Sequence, residues 1–221
     1  MVRRALVTGA SRGIGAAITA ELREQGAQIL EPSRSELNLA DPDSISAWLH
    51  NYGDKVDILV NNAGINMLND LESIRSDNWQ AMLQINLTAP LLLIQGVALG
   101  MKQRGWGRIV NISSIFGIVT KERRGAYSAV KAGLNGLTRT AAVELAPNGI
   151  LVNSLCPGYV ATDLTRQNNS ADDLAKIEAQ IPLGRLAEPA EMARVVAFLC
   201  SEANTYLTGQ SLLVDGGFTC R

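Results

Sequence analysis

Short apolar runs alternate along this chain with longer stretches in which apolar residues recur every three or four positions. Residues 5–7, 27–30, 57–60, 108–112, 150–155 and 211–214 are brief and dense in Ala, Ile, Leu and Val, which predicts strands. Residues 14–25, 42–50, 77–104, 126–146 and 189–201 carry helical spacing. This alternation predicts an α/β fold, a doubly wound parallel sheet with helices on both faces. The run Asp57-Ile-Leu-Val60 is almost wholly apolar, which suits a strand covered on both sides. No repeat, low-complexity tract or linker interrupts residues 1–221, so a single domain is expected.

Two clusters in this frame carry chemistry. The first strand runs into Thr8-Gly-Ala-Ser-Arg-Gly-Ile-Gly15, and helical spacing begins at Ile14. A glycine-rich turn between strand and helix lets backbone N–H groups approach a pyrophosphate at the helix N-terminus. Gly9, Gly13 and Gly15 are spaced differently from the Gly-x-Gly-x-x-Gly fingerprint, yet an ordinary βα turn rarely needs three glycines. The second cluster is Tyr127-Ser-Ala-Val-Lys131, with Ser114 upstream. Positions i and i+4 share a helix face. The Lys131 ammonium is therefore expected to pull the Tyr127 pKa down from its usual ~10. A tyrosine tuned in this way exchanges a proton with an alcohol or ketone oxygen. On its own the same spacing also describes a solvated helix face.

Joined by Asn61-Asn-Ala-Gly64, Asn86, Pro157-Gly158 with Thr162, Thr208-Gly209-Gln and Val214-Asp-Gly-Gly217, these motifs resemble the short-chain dehydrogenase/reductases from Ala5 to Gly217. Within that family the chain looks most like the bacterial 3-oxoacyl-(acyl-carrier-protein) reductase branch. The resemblance implies a Rossmann-type domain and an NAD(P)-dependent oxidoreductase working between CH–OH and C=O. It implies a catalytic set of Asn86, Ser114, Tyr127 and Lys131; spacing from Tyr127 selects Ser114 over Ser113. It places Gly9, Ser11, Arg12, Gly13, Ile14 and Gly15 on the pyrophosphate side and Asn38 and Leu39 at adenine. Asn61, Ala63 and Gly64 would run along the adenosine and ribose. Tyr127 and Lys131 would reach the nicotinamide ribose. Pro157, Gly158 and Val160 would line the nicotinamide, with Thr162 on its carboxamide or the pyrophosphate.

The chain departs from the family after the second strand. Only residues 31–41 precede the helix at Pro42, where the family has a helix and a strand. A helical crossover takes at least ~10–12 residues beyond the strand. The helix is expected to be missing, with a remnant strand at Leu37-Asn-Leu39 and a more open adenine end. Family register puts Ser33 where NAD enzymes hold a carboxylate for the ribose 2′-hydroxyl. Arg34 follows it, and Arg12 adds a second guanidinium able to bond a 2′-phosphate. NADPH is therefore expected over NADH. Glu31 is the alternative ribose ligand if the shortened loop shifts register.

In the implied mechanism NADPH delivers hydride to a carbonyl carbon and Tyr127 protonates the oxygen. Ser114 stabilises the developing alkoxide, Lys131 holds the ribose, and Asn86 holds a proton-relay water. The expected substrate is a 3-oxoacyl thioester, small or carrier-bound, with a sugar, sugar-nucleotide or polyol ketone as the alternative. A non-catalytic cofactor-binding regulator would have no reason to keep all four catalytic residues. Residues 162–188 are expected to form the substrate lid, with an amphipathic helix at 172–181. Lys121-Glu-Arg-Arg124 places three cations by the mouth, for an anionic substrate or for salt bridges between subunits. Asn148 and Gly105 stand where the closest branch docks its carrier, leaving Arg104 or Arg108 to compensate.

A net charge of −1 gives no field that favours nucleic acid or an anionic membrane. No apolar run reaches the ~20 residues of a membrane span, and Met1-Val-Arg-Arg enters a strand directly. Three widely spaced Cys show no metal pattern and read as thiols of a reducing cytoplasm, and His50 as a surface residue. Small and apolar residues on several faces of helices 77–104 and 126–146 point to a homo-oligomer. The resemblance makes it a tetramer, with a second interface at Ser211–Val214.

Overall fold

The computed structural model describes residues 2–220. Six parallel strands lie in the order β2-β1-β3-β4-β5-β6. They are β1 (Arg4–Val7), β2 (Gln28–Leu30), β3 (Ile58–Asn61), β4 (Gly107–Ile112), β5 (Ile150–Pro157) and β6 (Ser211–Val214). The chain steps outward from β1 to β2, then crosses back to β3 and winds the other way. The order therefore reverses beside β1, where such sheets open a binding crevice at the carboxyl ends of their strands.

Side chains of each strand alternate between two cores. On one face Leu6, Leu59, Ile109 and Val152 pack with α2 (Pro42–Tyr52), α4 (Ala89–Arg104) and α5 (Gly125–Leu145) through Trp48, Leu93, Met101 and Leu145. On the other, Ala5, Val7, Ile58 and Val110 meet α1 (Gly13–Glu24) and α8 (Pro189–Cys200) through Ile18, Leu22, Met192 and Val196. Asp41 starts α2, its carboxylate accepting from the Asp43 N–H at 3.0 Å with Pro42 as first helical residue. Leu93 is fully buried at the centre of the first core. Leu93→Ala should lower unfolding free energy by about 2–5 kcal/mol, read as a lower urea midpoint. An unshifted midpoint would contradict this packing.

The helical stretch expected at 77–104 is present, with a local departure from α geometry. It comprises α3 (Ser76–Leu83), a π turn (Gln84–Thr88) and α4 in one helical path. The path Ser76–Arg104 spans 29 residues and holds an 18-residue window of mean hydropathy 1.6, long and apolar enough for a membrane by composition alone. Its Leu93, Ile94, Val97 and Met101 instead cover the sheet.

The expected remnant strand at Leu37-Asn-Leu39 is absent. The Glu36 and Leu37 amides both donate to the Ser33 carbonyl, at 3.1 and 3.0 Å, and the Asn38 amide donates to Ser44 Oγ at 3.0 Å. Those donors are engaged in a turn, and Leu37 is anchored in the core rather than in a ladder. Among the described residues no strand lies outside β2, so β2 is one edge of the sheet and β6 the other.

Candidate active site

At the carboxyl ends of the strands a cleft of about 470 Å³ opens over the reversal point. Its floor is the turn between β1 and α1. Gly9 and Gly13 have φ of 67° and 56°, the left-handed region that glycine enters without strain. A Cβ on Gly15 would run into the Gly9 carbonyl. The α1 N-terminus carries no side-chain cap and no acidic residue in its first turn, so its positive end remains available to an anion. Thr8 Oγ1 accepts from the Asn62 and Ala63 amides, each at 3.0 Å, which ties the ends of β1 and β3 together. A close-approach turn, an uncapped helix end and a crevice at the reversal point fit a dinucleotide pyrophosphate.

Ser114 follows β4, and its Oγ accepts from the Phe116 amide at 3.1 Å, which leaves the hydroxyl hydrogen free to donate. Tyr127 and Lys131 sit one turn apart near the start of α5. Lys131 Nζ donates to the Ile112 carbonyl at 2.8 Å and lies 5.6 Å from the Tyr127 ring centroid. Ser113 Oγ donates to the Lys131 carbonyl at 3.2 Å, bracing the helix against β4. Asn86 occupies the π turn, a local widening that often marks functional sites. Its Nδ2 donates to the carbonyls of Ile65 and Met82, at 3.0 and 2.9 Å, while its buried Oδ1 has no partner. A Cβ on Gly64 would lie 2.7 Å from that Oδ1 and 3.6 Å from Lys131 Nζ, so only glycine lets this corner close.

The electrostatics correct one expectation. The Tyr127 pKa is raised, not lowered. The side chain still opens on the cleft, but crowding by protein atoms desolvates the phenolate, and the nearby Ser114 and Arg124 offset only part of this. Lys131 is itself only 3% exposed, and burial brings its pKa down from 10.5 to about 8.

Gly9, Ser11, Arg12, Gly13, Ile14, Gly15, Arg34, Ala63, Gly64, Ser114, Tyr127, Lys131, Pro157, Gly158, Val160 and Thr162 all line the cleft. Asn86 is buried behind that wall. Ser33, Asn38, Leu39 and Asn61 do not line it. The Ser33 amide donates to Glu36 Oε2 at 2.7 Å, the Asn38 carboxamide oxygen accepts from the Ala40 amide at 3.2 Å, and Leu39 packs on the core. Asn61 Nδ2 donates to Asn111 Oδ1 at 2.8 Å inside the sheet. The next residue, Asn62, lines the cleft in its place.

The sequence reading missed only Phe116 of the wall beside Tyr127; Tyr159 falls in the stretch expected along the nicotinamide, and Arg124 was expected as one of three cations by the mouth. Arg124 stands three residues before Tyr127, a helix-face spacing that was a usable signal. The expected lid contributes Thr162, Asp163, Leu164, Thr165, Asn168 and Asn169 to the rim. It includes α6 (Asp163–Gln167) and α7 (Ala171–Gln180). Arg104 and Arg108, the expected carrier-docking substitutes, are both turned inward. Arg104 contacts Asp57 at 2.7 Å, off the line of a hydrogen bond, and donates to the Val56 carbonyl at 2.6 Å. Arg108 is 5% exposed, lies 4.5 Å from the Trp106 ring centroid and donates to the Asn204 carbonyl at 3.0 Å.

A doubly wound sheet whose crevice joins a glycine turn to a Ser–Tyr–Lys group defines an NAD(P)-dependent oxidoreductase. The family model described as enoyl-(acyl carrier protein) reductase matches residues 31–219. The chain is 40% identical to the 3-oxoacyl-(acyl-carrier-protein) reductase FabG of Vibrio cholerae, over 96% of each chain. It is 39% identical to the acetoacetyl-CoA reductase of Shinella zoogloeoides, over 98% of each. The solved gluconate 5-dehydrogenase of Burkholderia cenocepacia, in complex with NADP and tartrate, superposes with a TM-score of 0.94 at 32% identity, covering 99% of this chain and 96% of that one. The chain belongs to the short-chain dehydrogenase/reductase family.

Proposed function

We propose that the chain uses NADPH to reduce the 3-oxo group of an acyl thioester to the 3-hydroxyacyl form. The convergence of Ser114, Tyr127 and Lys131 over the glycine turn carries this reading. Bound nicotinamide coenzyme would supply the hydride for the carbonyl carbon. Tyr127 Oη gives its proton to the carbonyl oxygen; the raised pKa keeps the phenol protonated and ready to donate. Ser114 donates its free hydrogen to the same oxygen as charge develops there. Lys131 holds ribose hydroxyls, and the unpartnered Asn86 Oδ1 anchors a water that resupplies protons. The reductases similar to this chain support the thioester. The inward Arg104 and Arg108 favour a small thioester over a docked carrier. Acetoacetyl-CoA assayed with NADPH and with NADH tests the reading. No turnover with either coenzyme would send the assignment to sugar and polyol ketones.

Preference for NADPH is supported by Arg12 and Arg34 on the cleft wall. The competing carboxylate, Glu31, is engaged elsewhere, paired with Arg23 at 2.9 Å. Arg34→Ala should narrow the NADPH-to-NADH ratio of kcat/KM by about tenfold or more. An unmoved ratio would remove Arg34 from 2′-phosphate recognition.

The chain is further proposed to be a cytoplasmic homotetramer. Leu91, Leu99 and Val143 stand exposed on α4 and α5, and Leu213 and Tyr206 lie exposed on and near β6, giving two separate apolar faces. Light scattering that returned a monomer would overturn the assembly, and cell fractionation checks the compartment.

A further inference from the structure

Arg124 has no part in the reading above. It immediately precedes α5 and is 4% exposed. Arg123 before it takes a left-handed backbone, φ 63°, which a non-glycine residue adopts at a cost. Arg123 points to the surface and pairs with Asp70 at 3.8 Å, whereas Arg124 turns inward. Its guanidinium lies 5.0 Å from the Phe116 ring centroid. Among the described residues no carboxylate is within ion-pair distance of it, and its buried Nε has no acceptor. The titratable groups felt at the site are Tyr127, Tyr159 and Arg123, none of them an acid that would neutralise it. Asp163, also on the cleft wall, forms no ion pair with it.

A buried cation without a partner is among the costliest arrangements in a protein. Here it stands beside the proton donor, on the cleft wall against the Phe116 ring. The N-terminus of α5 at the same place has no side-chain cap and no acid in its first turn, so both features favour negative charge. A guanidinium's planar fork matches a carboxylate.

We propose that Arg124 receives a carboxylate carried by the substrate near its reacting carbonyl, giving the cleft a further activity, the reduction of free oxo acids. Hydride from NADPH goes to the carbonyl carbon and the Tyr127 proton to its oxygen, leaving a hydroxy acid and NADP+. The inference rests on the carbonyl-reductase reading and goes beyond its thioesters, in which C1 carries no charge.

Acetoacetate and ethyl acetoacetate offer the same ketone and differ in charge at C1. The wild-type protein should favour the acid in kcat/KM. Arg124→Gln should cut the acid-to-ester ratio by about 30-fold or more, mainly through KM, and Arg124→Lys should recover part of it. A structural role for Arg124 would lower both substrates together. Indifference of the wild type to charge, or a ratio unmoved in Arg124→Gln, overturns the proposal and leaves the reductase reading standing. Calorimetric titration of the NADP-loaded protein with acetoacetate reads the site without turnover. Binding lost in Arg124→Gln supports the assignment, and equal binding overturns it. If no ketone is reduced, the reductase reading falls and the titration alone decides the role of Arg124.

Discussion

Replacing Tyr127 with Phe should lower kcat for acetoacetyl-CoA by about 10²–10⁴-fold, the usual contribution of a positioned general acid. The change removes only the phenol oxygen. The ring still packs against the cluster of Ile115, Phe116 and Tyr159 with the lid residues Ile177 and Ile181. The melting temperature should therefore stay within about 2 °C of wild type. KM should change little, because the proton passes only in the transition state. NADPH consumption followed by absorbance, beside a thermal melt, gives both readouts. Turnover at a tenth of wild type or more would mean that another group supplies the proton. A collapse in stability would mean that the loss of activity was not chemical.

Lys131→Met should separate activity from stability in opposite directions. Turnover should fall about 100-fold or more, because the ribose loses its cation and Tyr127 its route to a proton. Stability without coenzyme should rise at neutral pH. Burial brings the Lys131 pKa from 10.5 to about 8. Below about 8 both folded and unfolded chains are protonated there, and the folded chain bears the full cost of the buried charge, about 3 kcal/mol. Between the two pKa values the unfolded chain holds a proton that the folded chain has released, so rising pH favours folding. From about pH 7 to about pH 9.5 the wild type should regain about 2 kcal/mol on the variant, several degrees of melting temperature. A gap that stays constant or widens over that range would show that Lys131 is not held neutral by burial.

Much of this was legible in the chain because its strands are short, apolar and separated by helices with regular spacing. The Gly9–Gly13–Gly15 turn and the Ser114–Tyr127–Lys131 group could be found in one dimension because each is local or lies on one helix face. The failures have physical causes. Leu37 and Leu39 alternate like a strand, but a turn takes up the amides of Glu36 and Leu37. The π turn around Asn86 adds a single residue to a helical turn, too little to disturb an apolar period read over 28 positions. Asn61 and Asn62 look equivalent in sequence, yet strand alternation turns the first into the sheet and leaves the second on the cleft. Helical spacing brought Lys131 near Tyr127 but carried no information on burial, which sets the direction of both pKa shifts. Arg124 was grouped with its charged neighbours at 121–123, although these are exposed and it is not.

The missing outer strand has a consequence for how the molecule meets its neighbours at high concentration. An unprotected sheet edge is a template on which another chain can add a strand. Here β2 is only three residues long, and Pro32, two positions beyond it, has no amide hydrogen to offer. The chain then folds away into the 33–37 turn. A partner strand would find room for about one pair of ladder bonds before its register ran out. The truncation thus leaves the β2 edge too brief for β-sheet polymerisation.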